Sequence, residues 1–174
     1  NKQVKLIEQL VNEFSDFARM PKPIFKKLNL YKLINETIKL MKINDDSIKI
    51  NFKSSDNIFI KADNEQINRV FINLIKNSME SLNEKYQNSS NFDKKINIEI
   101  FEINDYIEIL IIDNGTGFKN KNLSDITKPY FTTKKNGSGL GLSIVVKIIN
   151  DHNGIIDFVD YNKGAKIKLT FPKL

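Results

Sequence analysis

The sequence has no cysteine and a single histidine, His152. The missing thiols exclude a disulfide framework, a thiolate metal site and a cysteine nucleophile, and they suit a reducing compartment such as the cytoplasm. Long hydrophobic runs are also missing. None approaches the roughly 18 residues that a membrane-spanning helix needs, and no signal-peptide pattern opens the chain. A soluble, cytoplasmic unit is expected. His152 lies near a helix end just before Asn153-Gly154, so it reads as a structural residue. No zinc, helix-turn-helix or RNA-binding signature is present. The net charge of +6, spread over scattered lysines, therefore reads as a solvated basic surface with no nucleic-acid partner.

What is present fits one folded domain. With 174 residues, 40% hydrophobic and 28% charged, the chain can bury a core and is not a disordered segment. It begins at Asn1 inside a helical pattern, which reads as a piece of a longer polypeptide. Val4, Ile7, Val11, Phe14 and Ala18, widened by Leu10 and Phe17, form a heptad-like stripe. Pro21 and Pro23 end that helix, because proline disfavours helix in the residue before it. Residues 20–27 then read as a hinge.

Leu30, Leu33, Ile34, Ile38 and Met41 predict a helix over 29–42. Alternation at Ile48, Ile50 and Phe52, and again at Ile58 and Ile60, predicts two short strands. Asp63 with Gln66 three residues on is a capping pair for a long helix carrying Ile67, Val70, Phe71, Leu74, Ile75 and Leu82. After a polar loop, Ile96, Ile98 and Ile100, then Ile107, Ile109 and Ile111, predict two longer strands. Periodicity disappears over 114–138, and a loop of that length inside a domain is usually functional, as a lid is. Helix returns over 140–150, and strands near 155–159 and 165–171 flank a turn at 162–164. Helices mixed with mostly antiparallel strands make the class α+β.

Three places carry chemistry. Asn73 and Asn77, four apart, share a helix face opposite Leu74 and Ile75. Amide oxygens are hard, neutral donors suited to a magnesium ion already carried by phosphates, although two asparagines facing solvent would look the same. The second place is Asp113-Asn114-Gly115-Thr116-Gly117-Phe118, at the end of a strand. Asn-Gly is also a hairpin signal, but 119–123 supplies no second alternating strand. The alternative is a carboxylate accepting a hydrogen bond from the exocyclic amine of a base, with glycines that let the backbone pass close to a ligand. The third is Asn136-Gly137-Ser138-Gly139-Leu140-Gly141-Leu142-Ser143, running into an apolar helix. Its backbone amides and helix N-terminus suit a triphosphate, and a merely flexible glycine loop is the competing reading.

The order and spacing of these motifs resemble the ATP-binding fold shared by histidine kinases, type II topoisomerases, Hsp90-type chaperones and mismatch-repair ATPases. Residues 73–81 look like the N box and 113–117 like the first glycine box. Lys128-Pro-Tyr-Phe-Thr-Thr-Lys134 resembles the Phe-containing box of histidine kinases, and 137–142 the second glycine box. The stretch Phe14-Ser-Asp-Phe-Ala-Arg-Met-Pro21-Lys-Pro23 is similar to the second helix of the dimerisation hairpin in NtrY-like nitrogen-regulation sensor kinases.

The resemblance implies Asn77 as magnesium ligand, with Asn73 beside it near the phosphates. It implies Asp113 on the adenine amino group, with Gly115, Gly117 and Phe118 on the adenine side. Gly137, Ser138, Gly139, Leu140, Gly141 and Leu142 would form the phosphate lid, together with Thr132, Thr133 and Lys134, the last meeting the terminal phosphate. Lys128 stands where the family often has an acidic residue and receives no role. Hydrolysing members usually carry a general-base Glu where this chain has Asn73, and an amide cannot take a proton from water.

The resemblance thus predicts a two-layer α/β sandwich of the Bergerat type, with a mixed sheet under long helices. Residues 1–22 would be the truncated second helix of a dimerisation hairpin, and 23–174 the catalytic domain of a sensor histidine kinase using ATP and Mg2+. Expected partners are a phosphoacceptor histidine helix, a response-regulator receiver domain and a second copy in the full-length, membrane-anchored parent. The phosphoacceptor motif is absent here, so self-phosphorylation is not expected. A serine kinase of the anti-sigma type, a hydrolysing ATPase and a pure interaction module are the rivals.

Overall fold

The computed structural model describes residues 19–87, 93–118, 125–132, 138–159 and 161–174, together with positions 4, 11 and 15. In chain order these form β1 (Lys26–Asn29), α1 (Leu30–Asn44), β2 (Lys49–Lys53), β3 (Phe59–Ala62), α2 (Asn64–Lys85), β4 (Lys95–Ile103), β5 (Tyr106–Asp113), α3 (Gly141–Asp151), β6 (Ile155–Val159) and β7 (Lys166–Pro172). A five-stranded sheet has the order β2-β4-β5-β7-β6, and β1 and β3 form a separate two-stranded ribbon. The pairing of β2 with β4 is parallel and the other neighbours are antiparallel, so the sheet is mixed.

The isoleucine alternation decides which face of the sheet is covered. Ile96, Ile98 and Ile100 of β4 lie beside Ile107, Ile109 and Ile111 of β5, in the register Ile98↔Ile111. Ile167, Leu169 and Phe171 of β7 continue the same buried surface. With a period of two, the intervening Asn97, Glu99, Glu108 and Lys168 fall on the other face. Onto the apolar face packs α2, whose buried stripe is Gln66, Ile67, Val70, Phe71, Leu74, Ile75, Ser78, Met79 and Leu82. Its neighbours in the helical layer are α1 and α3. The result is the expected two-layer sandwich.

The capping pair is only half a capping box. Asp63 Oδ1 accepts from the backbone N–H of Glu65 (3.0 Å) and Gln66 (3.1 Å). The return bond that Gln66 would make to the cap N–H is taken instead by His152, whose Nε2 accepts from Asp63 N–H at 3.0 Å. Gln66 is thereby released, and its Nε2 donates to Pro21 O at 2.9 Å. His152 is buried, and since Nε2 accepts, Nδ1 carries the proton and donates to Ile148 O at 2.7 Å. The lone histidine is structural: it ties the end of α3 to the start of α2.

The expected hinge differs from the structure. Pro21 is held by Gln66, and Ile24 N–H donates to Asp63 Oδ2 at 2.8 Å. The next residues form β1, paired Lys26↔Ala62 through Asn29↔Phe59. A four-residue strand reading Lys-Lys-Leu-Asn has no alternation to betray it, and it exists because β3 offers an edge. Asn29 then caps α1, its Oδ1 accepting from Lys32 N–H at 2.9 Å. Of the heptad-like stripe, Val4 and Val11 are described and are helical and exposed. Ile7, Leu10, Phe14, Phe17 and Ala18 lie outside the described residues.

Candidate functional site

Helix α2 is the spine of the site, because its upper edge carries polar residues in successive turns. At one end stands Asp113, the last residue of β5 and only 4% exposed. Its Oδ1 accepts from Gly115 N–H (2.9 Å) and Ala165 N–H (3.2 Å), and its Oδ2 accepts from Ser78 Oγ at 2.7 Å. Burial pushes this carboxyl above the ordinary carboxylate range, against the pull of Ser78, Gly115, Ala165 and nearby Lys85.

The loop after Asp113 is laid directly on α2. A Cβ on Gly115 would sit 2.3 Å from Ser81 Oγ, so a side chain there would have to displace that hydroxyl. Ser81 Oγ accepts from Thr116 N–H at 2.9 Å and shares a second bond with Thr116 Oγ1 at 3.0 Å. Gly117 has φ 69°, and a side chain there would meet Gly164 O at 2.4 Å. Phe118 packs edge-to-face on Phe158, with ring centroids 5.6 Å apart. Asn114 faces away from the carboxylate: its Oδ1 accepts from Lys95 N–H and its Nδ2 donates to Asp93 O, which fixes the start of β4.

At the other end are Asn73 and Asn77, both half-buried. Asn73 Nδ2 donates to Arg69 O at 2.8 Å, which directs its Oδ1 outward. There it meets the start of α3: a Cβ on Gly141 would lie 3.2 Å from that oxygen. Among the described residues no side chain caps the first turn of α3, whose N-cap is Leu140. An uncapped helix start keeps backbone N–H groups for an anion. Leu140 is wholly buried, so what it offers a ligand is backbone, and Leu142 packs against the core. Ser138 Oγ accepts from Leu140 N–H at 3.3 Å.

Gly139, with φ 70°, is pressed against residues 130–131, where a Cβ would sit 2.5 Å from the Tyr130 carbonyl carbon. That contact places the Lys128–Thr132 stretch beside the glycine loop. Buried Ile126 anchors this segment, Tyr130 and Thr132 are exposed, and Lys128 pairs with Asp125 at 2.6 Å. Thr133, Lys134 and Gly137 lie outside the described residues. Among the sequence-derived residues, then, Asn73 and Gly141 meet, Asp113, Gly115 and Gly117 form one loop end, and α2 connects the two groups.

Ser78 and Ser81 are the residues that sequence reasoning passed over. A signal was available, because Ser78 interrupts an otherwise mostly apolar buried stripe, and a buried hydroxyl needs a partner.

A two-layer sandwich in which one helix carries both a pair of amides and the clamp on a buried strand-end carboxylate defines a nucleotide-binding class of domain. The chain belongs to the histidine kinase-, DNA gyrase B- and HSP90-like ATPase family, whose pattern matches residues 62–174. Within that family it falls with the histidine kinase catalytic domains. The catalytic domain of histidine kinase ThkA, solved without nucleotide, is 30% identical, covers 86% of this chain and 96% of its own, and superposes with a TM-score of 0.73. An NtrY-like sensor histidine kinase of Rickettsia felis is 36% identical over 167 residues, which are 95% of this chain and 27% of that protein. The chain thus spans about a quarter of the length of the curated relatives it matches. The fold also matches ThkA in its complex with the response regulator TrrA (TM-score 0.77, 23% identity, 99% of this chain and 49% of that one).

Proposed function

We propose that this chain is the ATP- and magnesium-binding catalytic domain of a sensor histidine kinase, passing the γ-phosphate of ATP to a histidine on a dimerisation helix and thence to a response-regulator aspartate. The observation that carries the reading is the double use of α2. One turn brings Asn73 against the start of α3, and the next holds Asp113 through Ser78. Base and phosphates can therefore be gripped along a single rigid element. Asp113 accepts from the adenine amino group, Gly115, Gly117 and Phe118 line that side, and the amides of Ser138, Gly139, Gly141 and Leu142, on either side of buried Leu140, face the phosphates. Thr132, Thr133, Lys134 and Gly137 complete the lid.

The donor set fits magnesium delivered with the nucleotide. Among the described residues no group of three or more His, Cys, Asp or Glu could hold a metal. An octahedral ion held by one or two side-chain oxygens together with phosphates and water is what this cation favours. Asn77 is the ligand, with Asn73 beside it. When bound, the ion neutralises charge building on the transferred phosphate. Asn73 cannot act as a general base, so ATP is kept for transfer to another nucleophile.

The exposure of Val4 and Val11, seven residues apart, supports a seam for a second helix and a homodimeric parent, with 1–22 as dimerisation helix and 23–174 as catalytic domain. The ThkA–TrrA complex supports a receiver-domain partner. No helix among the described residues is long and apolar enough to cross a membrane. The domain is assigned to the cytoplasmic side of a membrane-anchored sensor, where ATP and receiver domains are found.

Calorimetry with ATP and magnesium, followed by labelled phosphate transfer to a hairpin bearing the acceptor histidine, tests the assignment. Asn77→Ala is expected to weaken magnesium-dependent binding by about 100-fold and to abolish transfer. Transfer that survives the substitution unchanged would remove the metal role.

A further inference from the structure

Ser78 stands where α2 would otherwise present another apolar side chain to the core. It lies in the buried run Leu74, Ile75, Ser78, Met79 and Leu82, and burying a hydroxyl is costly unless a partner satisfies it. The partner is Asp113 Oδ2, at 2.7 Å. The two carboxylate oxygens consequently have different surroundings. Oδ1 already accepts from two backbone N–H groups, of Gly115 and Ala165. Among the described residues Oδ2 accepts from Ser78. An ionised carboxylate has about four lone-pair positions, so the three protein donors leave one, on Oδ2, in a direction set by Ser78.

We infer that Ser78 is a positioning residue for base selection: it holds Asp113 so that a single acceptor position faces a base bearing an amino donor and rejects one bearing a carbonyl there. The inference rests on the reading of Asp113 as the base-recognising group. Ser78 works in two ways. Its hydroxyl fixes the rotation of the carboxyl, and its donated hydrogen bond favours the ionised form against burial. A protonated Asp113 would present a hydroxyl and lose its preference for an amine.

Ser81, one turn further along α2, supplies a matched control. Its hydroxyl also braces the loop, but through Thr116 and not through the carboxylate.

The test measures magnesium-dependent binding of ATP and of purine riboside triphosphate, which lacks only the amino group, to the unaltered chain, to Ser78→Ala and to Ser81→Ala across pH. The unaltered chain is expected to prefer ATP. Ser78→Ala should weaken ATP by about tenfold and purine riboside triphosphate by less than about twofold. Its acid limb for ATP should move to higher pH, because a donor favouring the ionised carboxylate is gone. Ser81→Ala should weaken both nucleotides alike. If Ser78→Ala weakens both equally, or neither, Ser78 only packs and the inference is overturned. If the unaltered chain binds both nucleotides equally, the base-recognising role of Asp113 fails first and the inference falls with it.

Discussion

The Asp113 end of the site is held by hydrogen bonds, whereas the α3 end is held by close packing. At the first, three protein donors fix one carboxylate, Ser81 fixes Thr116, and Asn114 pins the neighbouring strand. At the second, Gly139 rests on the Tyr130 backbone and Gly141 on Asn73, while among the described residues no side chain caps the first turn of α3. A group whose direction is fixed before the ligand arrives can discriminate between bases. A helix start without a side-chain cap among the described residues would gain order from bound phosphates. On the proposed reading, selectivity is expected at the strand end and nucleotide-dependent ordering at the loop.

Two alanine substitutions put that contrast to the test most severely. In Gly164→Ala the new Cβ would lie 1.9 Å from Asp113 O, a backbone atom that cannot swing away. A stability loss of about 3 kcal/mol is expected, or roughly 10 °C in Tm. Gly139→Ala also meets backbone at positive φ, but at the glycine loop and not at the strand end. It should cost about 1–2 kcal/mol and act mainly on ATP affinity. Thermal unfolding and calorimetry together decide; equal stability losses would mean that the loop is built as rigidly as the strand end.

A smaller effect should come from pH. Asp113 is held above the ordinary carboxylate range by burial, so it protonates at higher pH than an unperturbed aspartate would. ATP affinity is expected to drop by about tenfold per unit below that value. The ionised form of Asp113 is disfavoured by the fold, so its protonation removes no folding stability. Burial pushes Asp63 up, but donors from Ile24, Gln66 and Glu65 outweigh it and hold it below its usual value. Its contribution to stability is present above the ordinary carboxylate pKa and is lost only as pH falls through the depressed one. Binding should therefore fail at higher pH than folding, and coincident losses in binding and circular dichroism would contradict this.

The smallest effect is expected at the far end of α2. Asp63→Ala removes the helix cap, for about 1 kcal/mol, and should leave the preference between ATP and purine riboside triphosphate unchanged. A changed preference would mean that the start of the helix communicates with Asp113.

Much of this was legible beforehand, for identifiable reasons. The alternating isoleucines of β4 and β5 and the stripe of α2 are periodic, and period reports burial directly. Motif order singled out Asn73, Asp113 and Gly141, and the structure brings Asn73 and Gly141 together. The strand β1 was hidden because its four residues carry no pattern of their own. Half of the capping box was misread because Asp63 N–H finds His152, 89 residues away, in place of Gln66.

The sequence alone determined most of the succession of helices and strands and which faces they bury, because these follow from interactions within a few residues. Only the tertiary structure decided that Ser78 grips Asp113 across 35 positions and that Gly141 abuts Asn73. Contacts between residues distant in the chain leave no periodic trace, and the docking of whole layers chooses which groups finally meet.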